Sequence, residues 1–294
     1  MVHSPKDYLN VIIVFIIGSA IAFACSIGAL SFKGLPIIVC CMLISFIVHW
    51  LAFIPSYALR TEKYYDICGT LAYVCVLLTA FYLTTSASEN SLHTRSNLAI
   101  VLVLTWAIRL GFFLFIRVLK AGEDRRFREV KQKFSGFLVW WTISALWVFL
   151  TTVNALVMII NNVSYHSDYY FYTGLVIWII GFSFEVIADE QKRRFRLQIS
   201  NKDLFISTGL WRISRHPNYF GEILLWIGMA VIAFPTLQGW QHISLISPIF
   251  IYFLLTKISG VNLLESYADK KWGEDQNYQD YKRNTPVLIP FLKQ

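Results

Sequence analysis

Charged residues are scarce in this 294-residue chain. Only 15% of its residues are Asp, Glu, Lys or Arg, whereas 56% are apolar and 16% are aromatic. The mean hydropathy is +0.54. Soluble domains usually carry about 25% charged residues, so this composition excludes an ordinary soluble core. It predicts an all-α, polytopic integral membrane helical bundle.

Signatures of metal and nucleotide sites are also missing. No pair of the five cysteines has metal-site spacing, so we interpret them as packing residues and predict no metal site. Neither a Gly-x-Gly-x-x-Gly turn nor a Walker sequence occurs, which excludes the usual soluble nucleotide cradles. There is no internal repeat or linker, so we predict a single domain over residues 1–294. The net charge of +8 is concentrated in a few loops. The positive charge of these loops therefore indicates the membrane topology, and we predict no nucleic-acid partner.

Eight apolar runs approach the roughly 20 residues that one membrane crossing requires. The last two are short and are expected to be tilted, broken or partly buried. The loops after the second, fourth and sixth runs are basic, whereas the alternate loops 86–97, 161–169 and 236–242 carry only Arg95. The positive-inside rule then places both termini in the cytoplasm. The predicted spans lie near residues 9–30, 35–55, 66–85, 98–119, 137–160, 170–189, 220–235 and 243–259.

One polar segment, residues 209–222, leads directly into the seventh run. Pro217 suits the first turn of a helix, where its missing N–H costs nothing. Asn218 and Glu222 would then lie one turn apart on one face. A carboxylate inside an apolar span is expensive and by default a functional candidate. The alternative is a basic interfacial anchor for lipid headgroups, and its cationic residues are Arg212, Arg215 and His216.

The end of the sixth run carries charges at helical spacing. Glu185, Asp189 and Arg193 are four residues apart, and Arg196 stays within reach of that face. These residues form either an interfacial ladder of ion pairs or the polar wall of a cavity that holds a charged ligand. We favour the polar wall of a ligand-binding cavity, because intramembrane carboxylates rarely face lipid.

Two further clusters border the third and fourth runs. Arg109 lies about two turns from the predicted cytoplasmic end of the fourth run, and residues 122–127 add Arg125 and Arg126. Arginine forks suit phosphates. The third run opens with Asp66, a buried-carboxylate candidate, beside tyrosines that could donate a proton, Tyr64 and Tyr65. An acidic first turn of a helix is the alternative for Glu62 and Asp66.

Two polar stretches outside the apolar runs complete the chain. Residues 204–206 suggest a short extended piece followed by a turn. The C-terminal stretch after residue 260 is amphipathic. It forms either an interfacial helix or a lid below the cavity, with Glu265 and Tyr281 pointing inwards.

The motif Gly209-Leu-Trp-Arg-x-Ser-Arg-His-Pro-Asn-Tyr-Phe-Gly-Glu222, together with Gly122-Glu-Asp-Arg-Arg126, resembles the bacterial branch of the steroid 5-alpha reductase superfamily. The resemblance covers about Glu62 to the C-terminus and leaves residues 1–60 as additional N-terminal helices. It implies an NADPH-dependent enzyme that reduces the carbon–carbon double bond of an enone, most simply a 3-oxo-Δ4-steroid or a similar lipid. The substrate would enter from the membrane, which is either a bacterial inner membrane or the endoplasmic reticulum, and we expect a monomer.

The resemblance and the residue patterns together predict the site. The predicted catalytic residues are Asp66, Tyr65 and Arg109. Where animal enzymes have Tyr-x-x-Arg, this chain has Trp106-x-x-Arg109, and an indole cannot donate the proton that a phenol can. The acid therefore stays open between Asp66 and a neighbouring tyrosine. The predicted cofactor-binding residues are Arg109, Arg125, Arg126, Asp189, Arg193, Arg196, Arg212, Arg215, His216, Asn218, Tyr219, Glu222, Glu265 and Tyr281.

Two other functions stay open on the sequence. Arg215-His216-Pro217-x-Tyr219 also occurs in isoprenylcysteine carboxyl methyltransferases, which use S-adenosylmethionine. That cofactor has no phosphates and needs fewer arginines, so the three arginine clusters favour NADPH. The third alternative is a non-enzymatic sterol-binding or scaffold protein, which would bind no nucleotide.

Overall fold

The protein is an all-α polytopic membrane protein. Its structure, a computed structural model, describes residues 4–164, 168–258 and 260–292, without the side chain of Arg125. Within these residues, eight segments are long and apolar enough to cross a membrane, as the sequence predicts. They are Pro5–Ser26, Ile37–Ala58, Tyr65–Ser88, Thr94–Ala121, Phe134–Asn161, Tyr169–Leu197, Pro217–Thr236 and Gly239–Trp272.

Ten α-helices account for most of the described chain. They are α1 (Pro5–Ser26), α2 (Ile37–Ala58), α3 (Tyr65–Ser88), α4 (Thr94–Ala121), α5 (Phe134–Asn161), α6 (Tyr169–Leu197), α7 (Pro217–Ala233), α8 (Ile246–Phe253), α9 (Val261–Trp272) and α10 (Gln276–Asn284). Helix α7 begins at Pro217, as predicted, because proline fits the first helical position.

The eighth segment differs from the predicted run at 243–259. It joins a 3₁₀ stretch (Gly239–Leu245), α8, a π-helical turn (Leu254–Ile258) and α9. Gly260 stands at the start of α9, where an added Cβ would overlap the carbonyl of Leu255. Glycine at this position therefore permits the close approach of the two backbone segments.

Two short pieces also depart from the expectation. Ser31–Phe32 (β1) and Leu35–Pro36 (β2) pair antiparallel across a turn that the sequence did not reveal. Lys33 and Gly34 both have positive φ, as a type I′ turn requires. Residues 204–206, predicted as extended, form no strand and run irregularly into a 3₁₀ turn at Gly209–Arg212.

The chain forms two compact units. The first unit comprises Met1–His166 and Ala233–Ser247. Its central element is α5, which is almost entirely buried and contacts each of α1 to α4. An aromatic cluster of Phe53, Phe127, Phe137 and Trp141 closes one end of this packing.

The second unit comprises Ser167–Ile232 and Pro248–Gln294. Its α6 and α7 approach until their backbones touch. A Cβ on Gly181 would strike the backbone of Leu225, and one on Gly221 would lie 2.5 Å from the amide nitrogen of Glu185. Small residues permit such contact between membrane helices. The prediction that the whole chain forms one domain stays a prediction.

Candidate functional site

A cavity in the first unit, which we call the first cavity, lies among α3, α4 and α5. Its volume is about 50 Å³. Its apolar wall includes Trp106, Leu110 and Trp147, whereas its polar side chains are Tyr65, Asp66, Thr70, Tyr73 and Ser144. Two of the predicted catalytic residues, Tyr65 and Asp66, therefore share one hollow.

Tyr65 is fixed within this cavity wall. Its hydroxyl donates a hydrogen bond of 2.9 Å to the carbonyl of Trp140. Its ring packs 4.7 Å from the ring of Phe127 and 5.1 Å from that of Trp141, measured between centroids. The phenol is thus held by both α5 and the loop before it.

Helices α3 and α4 come close at Thr70. The Thr70 hydroxyl donates to the carbonyls of Asp66, at 3.4 Å, and Ala107, at 3.3 Å. An added Cβ on Gly111 would overlap the Thr70 hydroxyl, so glycine at this position permits the approach. One turn after Thr70 on α3, the ring of Tyr73 packs edge-on against the ring of Trp106, with the two centroids 5.3 Å apart.

Arg109, the third predicted catalytic residue, does not line the first cavity. It is half-buried on α4, one turn after Trp106. Its guanidinium carbon lies 5.1 Å from the centroid of the Phe113 ring. That distance is a cation–π contact.

The loop after α4 is anchored by a buried carboxylate. Glu62 is 3% exposed and accepts from the backbone N–H of Asp124, at 2.9 Å, and from the ammonium of Lys131, at 2.6 Å. Sequence reasoning treated Glu62 as an acidic helix start. It is instead the residue that fixes residues 122–133 against α3, because a buried carboxylate requires partners.

Arg126, a predicted phosphate ligand, already has a carboxylate partner. Its guanidinium donates to Asp124 through Nε, at 3.0 Å, and through a terminal nitrogen, at 2.6 Å. Burial would raise the pKa of Asp124, but the hydrogen bonds and charge of Arg126 outweigh it and lower the pKa. The predicted ligand Arg125 has its side chain outside the described part.

A larger cavity lies in the second unit, and we call it the second cavity. Its volume is about 100 Å³. Aromatic rings form much of its wall: Phe195, Phe205, Trp211, Trp272, Tyr278 and Tyr281. Its charged and titratable side chains are Lys192, Arg196, Arg215, His216 and Glu265. Five predicted cofactor residues therefore meet here: Arg196, Arg215, His216, Glu265 and Tyr281.

Glu265 holds the two central residues of this wall. One of its oxygens accepts from Arg215 at 2.6 Å, and the other lies 2.7 Å from Nε2 of His216. A carboxylate can only accept, so His216 Nε2 carries the proton. The Nδ1 of His216 and the Nε of Arg215 are buried without a hydrogen-bond partner in the described residues.

The surroundings of His216 keep its imidazole neutral. Burial lowers its pKa below the ordinary value, although the hydrogen bond with Glu265 opposes that shift. Its ring stacks on Tyr219 with centroids 5.7 Å apart. A neutral imidazole that donates through Nε2 presents Nδ1 as an acceptor.

The C-terminal segment fixes the mouth of the second cavity. The N–H of Arg215 donates to Pro286 at 2.9 Å, and the Ser214 hydroxyl donates to Leu288 at 2.7 Å. The Tyr281 hydroxyl donates to the carbonyl of Trp211 at 2.6 Å, and burial raises its pKa. The C-terminal stretch thus packs on this cavity and is not only an interfacial helix.

Other predicted cofactor residues lie elsewhere in the second unit. Asn218 donates to the buried Asp189 at 3.2 Å, and Glu222 is 5% exposed one turn further along α7. Arg193 pairs with Glu190 at 2.6 Å. Arg193 and Arg212 are exposed and do not line the second cavity.

Sequence reasoning missed several residues that line the cavities. Lys192 lies in the basic run at the end of α6, and its ammonium lies 4.4 Å from the Trp211 ring centroid. The position of Lys192 in this basic run is the signal that could have predicted it as a site residue. Tyr73 and Ser144 sit within apolar runs and carry no local signal, because only the packing of helices brings them to a hollow.

Eight membrane-length helices and two polar-lined cavities define an all-α polytopic membrane protein with candidate binding sites. A family model described as "Protein of unknown function (DUF1295)" matches residues 52–285. The chain belongs to this family, which is steroid 5-alpha reductase-like. This agrees with the resemblance over about Glu62 to the C-terminus.

Several curated proteins are similar to parts of the chain. It is 27% identical over 126 residues to 3-oxo-5-alpha-steroid 4-dehydrogenase 1 of Bos taurus, covering 43% of this chain and 44% of that protein. It is 29% identical over 123 residues to Steroid 5-alpha-reductase DET2 of Gossypium hirsutum, covering 42% of each. The match to the protein of that name from Arabidopsis thaliana is 26% over 168 residues, covering 54% and 58%. The chain thus spans about half the length of these relatives. No solved structure matches it.

Proposed function

We propose that this protein is a membrane oxidoreductase that uses NADPH to reduce the carbon–carbon double bond of an α,β-unsaturated ketone. The substrate class is a 3-oxo-Δ4-steroid or a similar lipid. The observation that carries the proposal is the second cavity, where cations, the half-buried Glu265 and aromatic rings line one hollow. The printed names of the relatives, which are steroid reductases or dehydrogenases, support it.

The residues of the second cavity fit a phosphate-bearing nucleotide. Lys192, Arg196 and Arg215 supply cations, and arginine is suited to phosphate. The buried Nε of Arg215 is a donor without a partner in the described residues, and the Nδ1 of His216 is an acceptor in the same situation. A bound phosphate would supply an acceptor for the first atom, and a ribose hydroxyl would supply a donor for the second. Aromatic rings offer stacking surfaces for a base.

The remaining cofactor residues are proposed around the same ligand. Asn218 orients Asp189 by their hydrogen bond, and Glu222, one turn after Asn218, extends the polar face of α7. Tyr219 supports the ring of His216. Arg193 and Arg212, both exposed in the same unit, are proposed to neutralise phosphate charge.

The first cavity is proposed to hold the ketone end of the substrate. Asp66, in its protonated form, donates a hydrogen bond to the ketone oxygen and stabilises the negative charge that develops there, together with a tyrosine of the same cavity. When bound, NADPH supplies a hydride to the β-carbon of the enone. Solvent supplies the proton that the α-carbon receives. The apolar wall keeps water from the oxygen, so each hydrogen bond acts at low dielectric.

Selective stabilisation by the cofactor tests the proposal. We expect NADPH to raise the unfolding temperature of the detergent-purified full chain, and NADH or S-adenosylmethionine to raise it much less. Arg196→Gln should weaken NADPH binding about ten- to hundredfold, the loss expected for one hydrogen bond to a charged group. Arg283→Gln is the matched control, because Arg283 is exposed and does not line the second cavity.

Each other outcome points to one alternative. Stabilisation by S-adenosylmethionine alone would favour a methyltransferase, and stabilisation by none of the three would favour a non-enzymatic lipid-binding protein. Asp66→Asn should leave NADPH binding intact and slow the reduction of a 3-oxo-Δ4-steroid. Full activity of that variant would remove Asp66 from the mechanism.

A further inference from the structure

We propose that Tyr73 is the phenol that donates a hydrogen bond to the ketone oxygen in the first cavity, and that Tyr65 is part of its supporting wall. The inference rests on the proposed function and assigns a specific residue within it. Tyr73 was not among the residues singled out from the sequence. It lines the same cavity as Asp66 and Trp106.

Two hydroxyls of the first cavity are committed to backbone carbonyls. A phenol has one proton to donate, and Tyr65 gives it to Trp140 at 2.9 Å. Withdrawing that proton would cost about the worth of one hydrogen bond, 0.5–1.5 kcal/mol. The Thr70 hydroxyl is likewise directed at the carbonyls of Asp66 and Ala107. Neither group is poised to donate to a ligand.

Tyr73 has the position that a ligand donor needs. It follows Asp66 by seven residues, two helical turns on α3, so the two side chains lie on one face. Helical side chains lean towards the helix N-terminus, which extends a Tyr73 phenol in the direction of Asp66. A carboxyl and a phenol on one face can thus approach a single oxygen from two sides.

Trp106 fixes the ring of Tyr73. The two rings meet edge-on with an interplanar angle of 88°. Tyr73 is 6% exposed and Trp106 is 1% exposed, so neither ring can swing away without opening the core. A ring held in this way presents its hydroxyl before the substrate arrives, which is how a preorganised donor stabilises developing charge. Tyr73 keeps its proton throughout, because the α-carbon is protonated from solvent.

Ligand binding without cofactor tests the assignment. The probes are testosterone, which has the 3-oxo group, and androst-4-en-17β-ol, which lacks only that oxygen. We expect the wild-type chain to bind the ketone more tightly by about three- to tenfold, the worth of one hydrogen bond. Tyr73→Phe should abolish this preference while still binding the deoxy steroid, which shows that the variant is folded.

Two comparisons make the result specific. Tyr65→Phe should lower the unfolding temperature but keep the ketone preference, and Tyr82→Phe, an exposed position on the same helix, should change neither. Incorporation of 3-fluorotyrosine at position 73 should strengthen the preference, because the phenol becomes more acidic while the ring stays in place.

The inference is overturned if Tyr73→Phe keeps the ketone preference, or if Tyr65→Phe alone abolishes it. It also fails if the wild type does not distinguish the two steroids. The stabilisation by NADPH is measured separately, so the proposed function can stand when the assignment of Tyr73 falls.

Discussion

Two carboxylates that bridge distant segments fix the surroundings of both candidate sites. Glu62 and Glu265 each accept from two partners, and each joins segments that are far apart in the chain. By contrast, the pair of Arg193 with Glu190 is exposed on one helix. Exposed pairs contribute little, whereas a buried charge that loses its partner is strongly destabilising. Glu62, which is buried, and Glu265, which is half-buried, therefore have structural roles that the exposed pairs lack.

Removing the carboxylate at Glu62 should loosen the loop after α4. We expect Glu62→Ala to lower the free energy of unfolding by up to about 3 kcal/mol, because the half-buried ammonium of Lys131 and the N–H of Asp124 lose their partner. Chemical unfolding followed by tryptophan fluorescence measures this loss. Glu129→Ala, at an exposed position in the same loop, is the control. The double variant Glu62→Leu/Lys131→Met should recover most of the stability. If it is as unstable as the single variant, the loss does not come from the unpaired charge of Lys131.

The neutral state of His216 should make stability depend on pH. Burial lowers its folded-state pKa below the ordinary value of 6.5. The unfolded chain therefore binds more protons just below that value, so stability is fully present above it and is lost as the pH falls towards the folded-state pKa. We expect the unfolding temperature to fall with pH in this window.

His216→Gln should remove that part of the pH dependence, because glutamine can donate to Glu265 and does not titrate. His242→Gln is the matched control, since His242 is exposed. An identical pH profile for the His216 variant and the wild type would show that folding does not change the pKa of His216, which would contradict this account.

At the scale of elements, glycines determine how closely helices approach. Gly181 and Gly221 let the backbones of α6 and α7 touch, and Glu185 and Glu222 flank that contact along the two helices. The polar face of α7 is therefore positioned by residues that bear no side chain. Their spacing alone does not reveal which helix they meet.

Enlarging Gly221 should separate α6 from α7. A Cβ at this position would strike the backbone of Gly181 and Glu185, which cannot move as a flexible side chain can. We expect Gly221→Ala to cost about 1–3 kcal/mol, as overpacking does, and to weaken NADPH binding. Gly136→Ala in α5 meets only ordinary contacts and should be neutral or slightly stabilising. Equal unfolding temperatures for the two variants would contradict the close approach.

At the scale of the whole molecule, the distribution of basic loops predicts the topology. Asn90 lies in a loop predicted outside, and Lys202 lies in one predicted to be cytoplasmic; both are exposed. In a chain without its native cysteines, we expect a membrane-impermeant thiol reagent to label Asn90→Cys in intact cells and Lys202→Cys only after lysis. Labelling of both in intact cells would place Asn90 and Lys202 on one side of the membrane and would refute the three crossings predicted between them.

Local chemistry made much of the fold predictable. Run length gave eight membrane-spanning segments, and Pro217 marked the start of α7, because each signal depends on only one stretch of chain. The eighth run was expected to be tilted, broken or partly buried, but its π turn at Leu254–Ile258 was not predicted, since that turn has the apolar composition of an α-helix. The hairpin at Ser31–Pro36 was too short to form a pattern.

The sequence by itself determined the membrane class, the spans and which polar residues are exceptional in them, because these depend on hydropathy and on residue type. Only the tertiary structure decided that Glu265 would join Arg215 to His216, that Arg126 would pair with Asp124, and that Tyr73 would share a cavity with Asp66. Such choices depend on how helices pack. A buried charge or hydroxyl takes whichever partner the neighbouring backbone brings within hydrogen-bonding distance, and linear spacing does not encode that distance.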